Sequence, residues 1–428
     1  MTSQPRFERN LPALLEDLYL GSTPSYRDDL LAATGRTRQR PAWSFPERWL
    51  PVDITTKIAP VARLPLRQLA IVALLAVLAA AALLAYVGSQ HRVPLPFGPA
   101  ANGLLAVNRG GDVYTADPNT GELKLVLGGD EDDHAPGFSP DGMQIAFLRG
   151  DPGELWVVNA DGGSPHRVGD GPIAGLEWSN WTPDSKHLLV IGRFDGDIRI
   201  RIFEARANGA YRDLATDYLP DPAELTFSPP TGAEIVFRAQ LRKNTGLMGL
   251  FVMNADGTNI RTLVEPTVPV GITMDMAGLA ITPDGQRIFY THYYDEAHMQ
   301  LWVMNADGTN KHQFVHVDSG CDWEGLPAVS PDGRYVAFWR CLPDNKGQIS
   351  IARADGTGPV VDAGPAFAGV TTSYGWSPDS TKLLVIPNES GQFVRPYLLD
   401  PAGGPGTRPP LEIEPENPDW QRLAEALD

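Results

Sequence analysis

A chain of 428 residues that is 43% hydrophobic, with nearly 340 residues beyond its most apolar stretch, is long enough to bury a large core and exceeds one simple domain. Its formal net charge of −17 excludes nucleic acid as a general partner, because a phosphate backbone would be repelled, and leaves plain solubility or cationic partners as readings of the charge.

Residues 1–66 read as a partly helical, basic and aromatic segment. FERNLPALLEDLYL (7–20) sets Phe7, Leu11, Leu14, Leu15 and Leu18 three and four apart, the spacing of an amphipathic helix that Pro12 weakens. Thr23-Pro24 opens a second short helix and Gly35 closes it. In RTRQRPAWSFPERWLP, Arg36, Arg38, Arg40 and Arg48 interleave with Trp43, Phe45 and Trp49, and prolines block regular structure. Such a segment is either an anchor on the membrane surface or a peptide that folds onto a cytoplasmic protein partner.

From Leu69 to Val87 the chain reads LAIVALLAVLAAAALLAYV, with no charge between Arg67 and Arg92. At ~1.5 Å per residue a helix of this length covers the roughly 30 Å of bilayer hydrocarbon, so residues 67–90 are expected to span a membrane once. Arg48, Lys57, Arg63 and Arg67 precede the span, whereas only Arg92 and Arg109 follow, which puts the N-terminus in the cytoplasm and the rest outside. Residues 1–67 balance at +3, leaving −20 for the outer part. A linker over 91–102 leads into it.

The outer part repeats. FSPDG (138–142), WTPDS (181–185), FSPPTG (227–232), ITPDG (281–285), VSPDG (329–333) and WSPDS (376–380) recur at intervals of 43, 46, 54, 48 and 47 residues. Each precedes an apolar run, and in most repeats a second turn follows, as in VVNADGG (157–163), VMNADGT (252–258 and 303–309) and ARADGTG (352–358). Pro sets the first φ of the turn while Asp and Gly tolerate the tight conformations after it, so each period holds about four short antiparallel strands. That is the sequence signature of a β-propeller blade.

At these motifs, residues 103–424 resemble the TolB-like, or WD40-like, family of bacterial propellers, whose blades carry W/F-S-P-D-G, then I-A-F, then L-W/Y-V-M-N-A-D-G. The second repeat departs from this pattern with WTPDS and ARANG, and the last ends in DPAGG. The blade number is argued from the ends of the region. LLAVN, DVYTADPNTG and LKLVL supply three strands of a blade that lacks its first, and NPDWQRLA (417–424) supplies a first strand with no blade after it. The expected fold is therefore an all-β, seven-bladed propeller closed by its termini, or six-bladed if one fragment is only a tail, with residues 425–428 left over.

No G-x-S-x-G, Gly-Lys-Ser/Thr phosphate loop, H-E-x-x-H or C-x-x-C occurs, so no catalytic, cofactor-binding or metal residues are assigned and no enzyme activity is expected. Three weaker features stand out. Asp130 to His134 offers four consecutive carboxylates but not the alternating spacing of a calcium loop. His292 and His298 bracket a hairpin tip with Tyr293, Tyr294, Asp295 and Glu296, which could meet a ligand. His312 and His316 sit on one strand face, too far apart to share a metal directly.

The two cysteines, Cys321 and Cys341, flank the hairpin turn at Ser330 to Gly333. If Val329 faces Arg334, the residue numbers of facing pairs sum to about 663, which sets Cys321 opposite Cys341 and favours a disulfide outside the cytoplasm. The expected function is that of a single-pass membrane protein whose propeller binds a protein, peptide or glycan at one face. It would signal to a cytoplasmic partner in the manner of an anti-sigma-type regulator, although no zinc-binding H-x-x-x-C-x-x-C is present in residues 1–66. The alternatives are a propeller hydrolase or lyase of the cell envelope and a purely structural scaffold.

Overall fold

The computed structural model describes residues 73–77, 93–242, 244–269, 278–295, 298–315, 323–343, 346–368, 373–387, 395–411 and 418–424. The helices expected within residues 1–66, Cys321, His316, Glu296 and the tail 425–428 lie outside these. So does most of the expected span 67–90, of which residues 73–77 are helical and exposed. Among the described residues no helix is long and apolar enough to cross a membrane. The chain divides into two compact units, Met1–Gln90 and His91–Asp428.

In the second unit the described strands form seven antiparallel sheets, six with four strands and one with three, ordered as simple meanders. The sheets are the blades of a seven-bladed propeller. Blade 1 combines both ends of the region: Asp419–Leu423 is its inner strand and pairs with Ala101–Arg109, setting Leu105 opposite Trp420 and Ala106 opposite Asp419. The first strand thus begins two residues inside the expected linker.

Strand periodicity explains why the blades stack. In the second strand of blade 2, Ile145 and Phe147 join the core shared with blade 1, while Ala146 and Leu148 join the core shared with blade 3. In blade 4, Ile235 and Phe237 face blade 3 while Val236 faces blade 5. Apolar side chains on both strand faces are what a sheet buried on both sides needs. The pattern continues round the ring, and the core between blades 7 and 1 joins Leu384 and Ile386 to Leu105, Val107 and Trp420.

In a four-stranded meander the first and third turns lie at one end, and the second turn and the crossover to the next blade lie at the other. The propeller therefore has a turn face and a loop face. The turn face carries the repeated motif. In blade 2, Gly142 N–H donates to Ser139 O (2.7 Å) with Gly142 at φ 71°, and Asp141 Oδ1 accepts from Ser139 Oγ (2.5 Å) and Met143 N (3.0 Å). The motif aspartates thus act as turn caps.

Neighbouring turns also lock together. A Cβ on Gly232 would come within 2.3 Å of Pro183, and one on Gly285 within 2.2 Å of Pro229 O, so these glycines are needed for close approach as well as for positive φ. In WTPDS and WSPDS the glycine is replaced by Ser185 and Ser380, held at φ 58° and 65°. Their hydroxyls accept the backbone N–H of the preceding blade's aspartate, Asp141 to Ser185 at 3.1 Å and Asp332 to Ser380 at 2.9 Å. The departure from the motif thus replaces a flat contact with an inter-blade hydrogen bond.

Two expectations need correction. Among the described residues blade 7 has three strands rather than four: beyond its third strand only the single bridge of Leu398 to Thr407 forms, because Gly403, Gly404 and Gly406 at positive φ and the prolines of the DPAGGPGTRPP run do not sustain a strand. The cysteine hairpin is also longer at its turn than assumed. Val329 faces Val336, the register slips between Gly325 and Ala328, and Glu324 faces Arg340. Cys341 N–H donates to Trp323 O (2.9 Å), so the residue across from Cys341 is Trp323 and not Cys321.

Candidate functional site

Polar chemistry collects at the loop-face ends of the second strands. Each of these strands is apolar through its buried stretch and turns polar where it nears the loop face, at Arg149 in blade 2, Arg238 in blade 4, His292 in blade 5 and Arg340 in blade 6. Register then supplies the partners. Arg149 faces Asp133, the first residue of the inner strand, and grips it with two bonds, Nε to Oδ1 at 2.6 Å and Nη2 to Oδ2 at 2.7 Å. Asp133 is wholly buried, its backbone carbonyl accepts from the Asn108 amide, and the guanidinium lies 4.6 Å from the Trp156 ring. The hydrogen bond to Asp133 outweighs burial and raises the Arg149 pKa.

Blades 4 to 6 carry the densest set. Arg238, 4% exposed, donates to Thr291 O (2.9 Å) and lies 5.4 Å from the Tyr293 ring centre, which ties blade 4 to blade 5. His292 is half-buried, 4.6 Å from Trp302 and edge-on to Tyr290. Burial first, and Arg238 second, lower its pKa, so the imidazole is neutral at pH 7. In blade 6, Arg340 faces buried Glu324, donates to Ser350 Oγ (2.8 Å) and forks onto Asp362 at 2.7 and 2.9 Å. In blade 3, Arg201 lies 3.9 Å from both the Phe194 and Tyr211 rings and bonds Asp213 at 2.6 Å. Burial opposes the Asp213 charge, but hydrogen bonds from Arg201 and Arg199 hold its pKa below the ordinary carboxylate value.

These cations are held by partners, so they stiffen the loop-face ends of the blades. More exposed groups stand at that face: Asp197, which pairs with Arg199 and Arg242, and also His298 and Lys346. Connections here are also long, with nine residues between Pro269 and Leu279 and ten between Gln313 and Glu324. Exposed polar groups beside long connections suit recognition of a macromolecular surface.

The residues singled out from the sequence fare differently. The Asp130 to His134 cluster is divided: Asp133 is consumed by Arg149, while Asp130, Glu131 and Asp132 are exposed. Among the described residues no group of three or more His, Cys, Asp or Glu side chains is placed to hold a metal ion. The hairpin tip is where it was expected, with Asp295 paired to His298, but His292 and Tyr293 are packed inward rather than displayed. His312 is exposed. The arginines were not singled out, although their signal was present: in QIAFLR, EIVFR and YVAFWR an arginine directly follows an apolar run.

No model of a known protein family matches the chain. An uncharacterized protein of Agrobacterium fabrum is 22% identical over 224 residues, covering 48% of this chain and 69% of its own. Among solved structures, tricorn protease aligns with a TM-score of 0.52 at 12% identity, over 77% of this chain and 35% of that one. An oligogalacturonate lyase from Vibrio parahaemolyticus gives 0.51 at 11% identity, over 72% and 84%. TolB from Acinetobacter baumannii gives 0.42 at 17% identity, over 62% of this chain and 63% of that one, so the chain spans under two thirds of that protein's length. At these identities the likeness is one of fold.

Proposed function

We propose that the chain is a single-pass membrane protein of the TolB-like propeller kind, whose propeller is an extracytoplasmic module that binds a protein, peptide or glycan. In this reading residues 67–90 cross the membrane. Residues 1–66 lie in the cytoplasm, where their basic and aromatic segment meets a protein partner or the lipid surface. The uncharged stretch Leu69 to Val87, its basic upstream flank and the −20 balance beyond it support the topology. Binding rather than catalysis is favoured because the buried cations of the loop face are held by structural partners.

The observation that carries the reading is the difference between the two faces. Turns on one face lock to one another, whereas the other bears longer connections and a polar rim, so the loop face is the binding face. A photo-crosslinking amino acid at exposed His298 or Lys346, on the loop face, is compared in cells with one at exposed Lys186 or Pro359, on the turn face. An adduct of one constant mass from both loop-face positions and from neither turn-face position is expected. Adducts only from the turn-face positions would overturn the assignment.

A further inference from the structure

Residues 93–100, VPLPFGPA, read from the sequence as linker, yet they are fastened to the turn face. Ala100 N–H donates to Pro378 O (3.0 Å) in the turn of blade 7. Arg422, on the inner strand of blade 1, donates through Nη2 to the carbonyls of Leu95 (3.0 Å) and Gly98 (2.6 Å). Pro94 and Ala100 are buried, whereas Leu95 is 75% exposed.

Phe97 goes elsewhere. It packs against the core between blades 3 and 4, a cluster that includes Phe227 just ahead of the blade 4 turn. On a ring of seven blades that seam lies three blades from the 7–1 seam in one direction and four in the other, which is as far across as the ring allows. Three extended residues from Ala100 to Phe97 cover about 10 Å, and an aromatic side chain reaches several ångströms further, enough to traverse the axis but not to follow the rim.

We propose that residues 93–100 form a strap across the turn-face mouth of the central channel, latched by Phe97, so that the channel opens only at the loop face. Three prolines in eight residues lower the cost of ordering the strap, since fewer conformations are lost. Arg422 suits its place because a guanidinium can serve two carbonyls at once.

The test places benzoylphenylalanine, close in shape to the native side chain, at position 97 of the full chain and maps the intramolecular cross-link after irradiation. Adducts within residues 181–237 of blades 3 and 4 are expected; adducts confined to blades 7 and 1, or none, would overturn the strap. Hydrogen exchange of the full chain gives a second reading. The Ala100 amide, which donates to Pro378 O, should be protected, and Phe97→Ala should raise its exchange at least tenfold, while Leu95→Ala does not and blade strands stay protected in both. Exchange at the free-chain rate in the unsubstituted protein would equally refute the strap.

Discussion

Replacing Asp419 with asparagine tests how the ring is closed. Asp419 lies on the closing strand, opposite Ala106, and its Oδ2 accepts the backbone N–H of Phe138 in blade 2 at 2.7 Å, so one carboxyl joins the C-terminal strand to two blades. Burial pushes its pKa up to about 6, against the opposing pull of the Phe138 and Trp420 amides and of Arg422. A carboxyl raised above its unfolded value makes the folded chain the stronger proton binder. Its stabilising effect is therefore complete below about pH 4 and is lost as pH rises through about 6. A rise of about two units corresponds to ~3 kcal/mol, and for a partly solvated group about half of that is expected. The Asp419→Asn side chain keeps an acceptor for the Phe138 amide without the charge. Thermal melts of parent and variant between pH 4 and pH 8 should coincide at the acid end and diverge above pH 6, the variant being more stable by ~1.5 kcal/mol, or about 3 °C. A variant that is less stable at pH 7.5, or a difference that does not change with pH, would refute the reasoning.

Ser380→Ala leaves the Asp332 N–H without its acceptor while keeping a positive φ, and should cost about 1–2 kcal/mol in chemical unfolding; Ser380→Gly, which relieves the backbone, should cost less. Asp133→Ala strands the Arg149 guanidinium and should cost about 3 kcal/mol, with Arg149→Met partly restoring stability in the double variant. Cys341 is disulfide-bonded and Cys321 is the only other cysteine of the sequence, so the bridge proposed is Cys321 to Cys341. Trypsin cuts after Arg334 and Arg340, so mass spectrometry without reduction should show one linked peptide pair, and free thiols on separate peptides would exclude the bridge.

Much of the fold was legible because a propeller writes the same local physics many times. The Ser/Thr-Pro-Asp-Gly turns fix hairpins, the uninterrupted apolar runs in QIAFL and YVAFW mark sheets buried on both faces, and the fragments at 103–127 and 417–424 complete one another. Register was less legible. The Ser330 to Gly333 turn adds residues before Val329 meets Val336, and Leu326, at φ 55°, slips the strand again, which moved the partner of Cys341. The Arg149–Asp133 and Arg340–Glu324 pairings are legible only once that register is known. The run at 93–100 looked like linker because its prolines prevent a helix or strand, but a segment without regular structure can still be held by its carbonyls, as Arg422 does here.

The central claim is that residues 67–90 hold the propeller on the outer side of a membrane. Protease added to intact cells tests it most directly, with antibodies against residues 1–66 and against the propeller as readouts. The account expects the propeller to be cleaved while residues 1–66 remain protected until the cells are broken; a propeller protected in intact cells and cleaved only after lysis would contradict it.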